Sequence, residues 1–367
     1  MVDALSRDGR GREEARALLV LDQLPGVGLA ALKSLVRSFG SAAEALRAPR
    51  SSFRRVAGDE AEAARWDPSW GRVVDAGLAE GDRLGMELRT WTSPEYPAAL
   101  HHLHDPPPVL FLRGRTELLD PPGVTVVGAR RATARAREVA ERLGRGLAQA
   151  GSSVVSGLAL GVDAAAHRGA LLGGGPTIAV LGRGADVPYP PAHRRLFREI
   201  LEEGLVVSEF LPGTPPLPHH FPRRNRILAG LARAVVVVEA GAKSGSLITV
   251  DHALDLGIDV WSVPGPIDVT SCAGSNRLLA DGARPLVSIG DFVREVTGVG
   301  GGATEAVATV DGPAGELLAR LGEETMNVDE LALLAGVTVP AALALLTELE
   351  LTGLVRQLPG MRFRRAA

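Results

Sequence analysis

VTVVGARRATARAREVAERLGRGLAQAGSSVVSGLA, residues 124 to 159, is an apolar run, a helical stretch and a second apolar run, and each apolar run closes on small or polar residues. Neither run alternates apolar with polar. A strand with one wet face would alternate, whereas continuous runs rich in valine fit strands covered on both faces of a parallel sheet. The same unit recurs to about residue 290: TIAVLGRG, LVVSEF, AVVVVEA and DVWSVPG follow, interleaved with helical stretches such as HRRLFREILEEG. The pattern predicts an α/β fold, a mostly parallel sheet flanked by helices. In open sheets of this kind the ligand crevice lies outside the carboxyl ends of the strands. Nearly every run here ends in Gly, Ser, Glu or Arg, so those residues are expected to gather along one edge.

Outward from this centre the chain changes character twice. Residues 15 to about 85 read as short helices punctuated by Gly and Pro, without strand alternation. Beyond residue 297, a Gly-rich stretch leads to three helical segments and a hairpin, LVRQLPGMRFRR, the order of a winged helix. The expected organisation is a disordered N-terminus over 1–14, a small helical domain of SAM or helix-hairpin-helix type over 15–90, a Rossmann-like domain over 91–296, a linker over 297–312 and a winged-helix domain over 313–367.

Apolar residues make up 46% and charged residues 23% of the 367, the proportions of a globular protein. No apolar run approaches the roughly 20 residues that a membrane helix needs, and the opening MVDALSRDGRGREE lacks the apolar core of a secretion signal. A cytoplasmic protein without a membrane partner is expected. Cys272 is the single cysteine, so neither an intramolecular disulfide nor a multi-cysteine zinc site can form within the chain. Net charge is 40 − 43 = −3, and any basic surface must therefore be local.

Cofactor signatures are missing where they would be expected. No strand is followed by G-x-G-x-x-G, and no G-x-x-x-x-G-K-[ST] occurs; no cofactor is expected. Ser156, Asp163 and His167 could be mistaken for a hydrolytic triad, but such triads are usually assembled from separate loops. Asp163 reads better as a helix N-cap, with Ser156 and the glycines beside it as strand-end amides suited to anionic oxygens. His101, His102 and His104 lack an evident carboxylate partner for a metal. PGVG at 25–28, followed by Lys33 and Arg37, fits either a phosphate-binding helix-hairpin-helix or a plain turn. In the C-terminal unit the recognition helix from Val339 to Leu351 carries Glu348 and Glu350 and no basic residue, against major-groove reading, although Arg356, Arg362, Arg364 and Arg365 lie in the wing.

Local basic surface is concentrated at the strand ends. Residues 128 to 145 hold six arginines against two glutamates, FPRRNR follows LVVSEF, and AKSGS follows AVVVVEA. Arg130, Arg224, Arg226 and Lys243 are thus expected to converge from separate loops, with Asn225 capping the helix after FPRRNR and Arg223 facing either a ligand or solvent.

The ordered set YPAALHHLHDPPPVLFLRG, VTVVGARRAT, VVSGLALGVDAAAH, TIAVLGRGADVPYP, FPRRNRILAGL, VVVVEAGAKSGSLIT, VPGPID and SNRLLADGA resembles the DNA-processing protein A (DprA/Smf) family over some 190 residues. The resemblance implies a non-catalytic protein that binds single-stranded DNA, works as a homodimer and loads RecA recombinase onto strands taken up in natural transformation. Carried over residue by residue, it implies a DNA pocket drawing on Arg130, Ser156, Gly157, Phe221, Arg224, Asn225, Arg226, Lys243, Ser244 and Gly245. Phe221 is the best-placed stacking face, or else part of the core. Two departures from the family pattern stand out: Ala129 occupies the place of a usual serine in Gly-Ser-Arg, and the Tyr-Gly pair common a few residues later is absent from ATARAREVA. The rival is a nucleotide-binding or nucleotide-cleaving enzyme of the phosphoribohydrolase type, using an acid such as Glu239, although the P-G-G-x-G-T-x-x-E stretch expected of it is missing.

Overall fold

The computed structural model describes residues 9–298, 313–321, 325–351, 354–358 and 360–365. They divide between two compact units, the first ending at Val299 and the second starting at Gly300.

The first unit opens with six helices: α1 (Gly9–Gln23), α2 (Leu29–Phe39), α3 (Ala42–Arg47), α4 (Arg50–Ala57), α5 (Asp59–Ala64) and α6 (Pro68–Arg83). Their boundaries follow local chemistry. Gly40 closes α2 in the left-handed conformation, Ser41 accepts the Glu44 amide to start α3, and Asp67 with Pro68 starts α6. Strands and helices then alternate as β1 (Glu87–Thr90), β2 (Val109–Gly114), β3 (Gly123–Val127), α7 (Ala134–Gln149), β4 (Val154–Ser156), α8 (Val162–Leu172), β5 (Thr177–Val180), α9 (Arg194–Glu203), β6 (Leu205–Ser208), α10 (His220–Gly230), β7 (Ala232–Val237), α11 (Leu247–Asp255), β8 (Asp259–Ser262), α12 (Ala273–Ala280), β9 (Arg284–Pro285) and α13 (Ile289–Thr297).

The strands form one sheet in the order β1-β2-β6-β5-β4-β3-β7-β8-β9. From β6 to β9 every pairing is parallel, and only β1 with β2 and β2 with β6 run antiparallel. The mostly parallel, helix-flanked sheet expected from the apolar runs is present. Side chains explain why those runs do not alternate. Val124, Val126, Val154, Ala234 and Val236 pack on the face covered by α7 and α8. Their neighbours Val127, Val155, Val235 and Val237 pack on the opposite face with Ile227, Leu228, Val250 and Ala253 of α10 and α11. Both faces are dry, so both side-chain registers must be apolar. The chain reverses its direction of travel at β3, which has β4 on one side and β7 on the other, and this places the switch-point crevice outside Val127 and Val237.

Three expected boundaries move. Helix α1 already runs from Gly9, where disorder was expected to residue 14. Residues 87–90, assigned to the helical domain, are the sheet strand β1. Nor do the first six helices hold a core of their own: Leu18, Leu32, Leu35, Phe53 and Leu78 share one cluster with Val109, Phe111, Phe197, Ile200 and Val206. Six short helices cannot bury their apolar faces on one another alone, and the sheet supplies the remaining surface. Of the expected linker, residues 299–312 lie outside the described residues.

The second unit contains α14 (Pro313–Arg320), β10 (Met326–Asn327), α15 (Val328–Leu334), α16 (Val339–Leu351), β11 (Val355–Leu358) and β12 (Arg362–Arg365), with strand order β10-β12-β11. Asn327 and Glu330 form a reciprocal capping box at the start of α15. Leu317, Leu331, Leu346, Val355 and Phe363 centre its core. No single helix among the described residues is long and apolar enough to cross a membrane.

Candidate nucleic-acid interface

The parallel strands deliver their following segments to one edge, and backbone contacts knit those segments together. After β3 the chain passes Gly128, Ala129 and Arg130 to Thr133, the N-cap of α7. This segment is pinned at both ends by one residue beyond β7. Ala129 N donates to the Glu239 carbonyl at 2.7 Å, while Thr133 donates its amide and its hydroxyl to the Glu239 carboxylate at 3.2 and 2.6 Å. Gly161, after β4, crosses directly beneath: a Cβ there would stand 2.2 Å from the Ala129 carbonyl and 2.7 Å from that of Arg130, and its φ of +84° suits glycine alone.

Several predicted site residues belong to the interior of this edge. Ser156 is fully buried and its hydroxyl donates to the Val126 carbonyl at 2.6 Å. The amides of Gly157 and Ala159, expected to await an anion, both donate to Asp163 Oδ2, at 3.1 and 3.3 Å. Asp163 is therefore not the N-cap of α8 but an internal anion that fills the strand-end nest. Burial pushes its carboxyl pKa up, while Arg224 and the two amides pull it down. His167 bonds Thr177 Oγ1 at 2.7 Å, so Ser156, Asp163 and His167 each have a separate partner and form no triad.

FPRRNR is not a loop but the first part of α10, and this changes the fate of its charges. Arg224 is 4% exposed. Its guanidinium donates to the carbonyls of Gly157, at 3.0 Å, and Val180, and to Asn225 Oδ1 at 3.2 Å. Burial lowers its pKa to about 10, with Asp163 opposing the shift and Arg130 adding to it. The close fit explains Gly157, where a Cβ would fall 2.3 Å from Arg224 Nη2. Arg226, also buried, meets Glu209 in a two-pronged pair at 2.7 and 2.8 Å and donates to the Asp105 carbonyl at 2.5 Å. Burial opposes its charge, but the Glu209 carboxylate more than offsets this and holds its pKa up. Asn225 does not cap α10; its Nδ2 donates to the Gly245 carbonyl at 3.0 Å and ties α10 to the segment after β7. Ser156, Gly157, Arg224, Asn225 and Arg226 thus build the edge rather than face outward, because each has its polar atoms engaged inside the protein. Arg223 pairs with Glu209 at 3.0 Å and approaches Asp22 of α1 at 3.8 Å.

What does face outward is a smaller set. Arg130 is exposed, with its guanidinium carbon 5.1 Å from the centre of the Phe221 ring. Phe221 is half-buried over Gly182 and has Tyr189 on another side, ring centres 5.6 Å apart and tilted by 39°. Phe221 is thus both a packed ring and a partly open one. Tyr189 is 36% exposed, and nothing in the sequence reading had singled it out. Its only signal was a place in the segment after an apolar run, TIAVLGRGADVPYP. Lys243 and Gly245 are exposed and Ser244 is half-buried, its hydroxyl 2.8 Å from that of Ser246. Among the described residues neither Arg130 nor Lys243 has a carboxylate partner, and no group of three His, Cys, Asp or Glu is placed to hold a metal. The arrangement offers a cation over the Phe221 ring, Tyr189 against that same ring, and a second cation on the segment after β7. It can take a planar base and adjacent phosphates.

Residues 87–297 match the family model described as DNA recombination-mediator protein A, and residues 302–361 that described as the DprA winged helix domain. Protein Smf of Synechocystis sp. is 36% identical over 327 residues, covering 78% of this chain and 82% of its own. DNA processing protein DprA of Streptococcus pneumoniae is 45% identical over 200 residues, 54% of this chain and 71% of that protein. The X-ray structure of the S. pneumoniae protein superposes with a TM-score of 0.65 at 34% identity, over 77% of this chain and 97% of that one. The structure of DNA processing protein A from Helicobacter pylori, described for its unique single-stranded DNA binding mode, superposes with a TM-score of 0.53 at 32% identity, over 57% of this chain and 95% of that one.

Proposed function

Because the chain belongs to the DNA recombination-mediator protein A family, we propose that it is a non-catalytic cytoplasmic protein that binds single-stranded DNA at the carboxyl edge of its sheet. In this reading it works as a homodimer that protects incoming strands and passes them to RecA recombinase in natural transformation. The observation that carries the binding step is the exposed Arg130 over the Phe221 ring, with Tyr189 against the same ring, Lys243 exposed on the segment after the neighbouring strand β7, and no carboxylate at ion-pair distance from either cation among the described residues. Non-specific single-strand binding needs this combination of basic groups and stacking faces rather than readers of base edges. Phosphate contact then dominates, with salt weakening it by a slope of about −0.7 per phosphate neutralised. The pair of relatives from S. pneumoniae and H. pylori, and the mediator role in the family's description, support the reading at the level of DNA processing.

A nucleotide-cleaving alternative would need a free acid or nucleophile at this edge. Glu239 is 3% exposed with both oxygens engaged by Thr133, Asp163 is committed to two amides, and Ser156 is locked to Val126. Recruiting any of them would mean dismantling the segment that presents Arg130. These commitments favour the binder.

Titration of labelled single and double strands at two salt concentrations tests the proposal, alongside an assay for nucleoside monophosphate cleavage. Single strands should be retained in preference to double strands, without turnover. Arg130→Ala should reduce the salt slope by about 0.7. Phe221→Leu, which keeps the packing over Gly182, should weaken binding roughly 5- to 150-fold at an unchanged slope, the equivalent of one stacked base at about 1–3 kcal/mol. Turnover without retention would establish the enzyme instead.

A further inference from the structure

Beyond Tyr189 the chain runs through Pro190 and the single 3-10 turn Pro191–His193 straight into α9. His193 is buried and its Nδ1 donates to the Leu158 carbonyl at 3.0 Å, so the start of α9 is fixed to the same edge segment that carries Gly161 beneath Arg130. The first two turns of α9 hold three arginines. Arg195 is matched, with its Nε 2.7 Å from Glu199. Arg194 and Arg198 are exposed and, among the described residues, no carboxylate lies within ion-pair distance of either. Glu199 is taken by Arg195, and Glu202, one turn beyond Arg198, does not pair with it.

Exposed arginines without a carboxylate at ion-pair distance among the described residues occur elsewhere in the unit, Arg37, Arg55 and Arg168 among them, but Arg194 and Arg198 stand together on the helix that directly follows Tyr189. Arginine in a first turn also opposes the helix dipole, and no acidic residue occupies the first turn of α9 to relieve it. Spaced four apart, Arg194 and Arg198 share one helix face with a rise of about 6 Å between them, close to the spacing of successive phosphates on an extended strand.

We propose that Arg194 and Arg198 form a backbone track for the nucleotides that leave the Arg130–Phe221–Tyr189 platform, extending the single-strand site along α9. The track takes phosphates without reading bases, and it presupposes the single-strand reading of the platform. Its length dependence separates the two. A dinucleotide fills the platform alone, whereas a 20-mer reaches the track.

The test compares oligothymidylates of two and twenty nucleotides across a salt series, using the full chain. For Arg194→Ala with Arg198→Ala, the salt slope on the 20-mer should fall by about 1.4, two phosphates at about 0.7 each, with the dinucleotide unchanged. Arg195→Ala, which removes the paired arginine of the same helix, should leave both lengths unchanged, and Arg194→Lys with Arg198→Lys should restore the slope. An unaltered 20-mer slope in the double alanine variant, or an equal loss on both lengths, overturns the track while leaving the platform standing. Failure of the unsubstituted protein to retain either oligonucleotide overturns the single-strand reading itself.

Discussion

Arg226→Met separates an arginine that builds the edge from one that serves it. In the folded chain Arg226 is 5% exposed and the Glu209 side chain 1%, and the two meet at 2.7 and 2.8 Å. Methionine keeps much of the volume but removes the charge. It leaves Glu209 with Arg223 alone, itself 41% exposed, and leaves the carbonyls of Asp105 and Arg223 without this donor. Removing one member of a buried pair in this way costs about 3–5 kcal/mol, a large part of a typical folding stability of about 5–15 kcal/mol. Glu209→Leu introduced together with Arg226→Met should recover much of the loss, because the stranded carboxylate disappears with its partner; a coupling of about 1–3 kcal/mol is expected for residues in direct contact. The assay is equilibrium urea unfolding, read as a shift in midpoint at constant slope. The salt dependence of single-strand binding is then measured under conditions where the variant is folded, and it should match that of the unsubstituted chain. A midpoint that does not move, combined with a salt slope lower by about 0.7, would refute the reasoning and return Arg226 to the phosphate backbone.

Acid should weaken the fold through His167. Burial holds its pKa down to about 3, with His193 and Arg224 adding to the shift, against an ordinary value of about 6.5 in the unfolded chain. Below pH 6.5 the unfolded chain takes up a proton that the folded chain refuses, so this contribution is complete above 6.5 and lost as pH falls toward 3. It amounts to roughly 4–5 kcal/mol over the whole window. His167→Gln should flatten the plot of urea midpoint against pH between about 6.5 and 4, and an unchanged plot would remove His167 from the acid response. Gly157→Ala should lower the midpoint by about 1–3 kcal/mol, since its Cβ would displace the Arg224 guanidinium. Gly245→Ala, with nothing within 4 Å of the added carbon, should cost under about 0.5 kcal/mol, and equal effects at the two glycines would contradict the packing described.

The sequence by itself determined the architecture that positions the site. Apolar runs such as AVVVVEA have no polar register to offer water, so they specify strands covered on both sides, and their interleaving with helices specifies a parallel sheet with one functional edge. It also placed Arg130 and Lys243 on that edge, while leaving Phe221 as either a stacking face or part of the core. Where the reading went astray, the cause was a partner distant in sequence. Helix α1 needs Val109 and Phe111 of β2 to complete its core, which no local pattern in residues 15–90 reveals. FPRRNR displays three arginines in one short string, and only tertiary structure decided among them. On the helix, residues 223 and 226 are three apart and share one face, whereas residue 224 points about 100° away from 223. Arg224 finds carbonyls from β4 and β5, Arg226 finds a carboxylate just past β6, and Arg223 lies between that carboxylate and α1. A guanidinium is stable in the interior when such acceptors surround it and is free for a ligand when they do not. Since the non-local acceptors of Arg224 and Arg226 reach from 17 to 121 residues away along the chain, composition could count the charges at this edge, but only the fold could say which of them remain available.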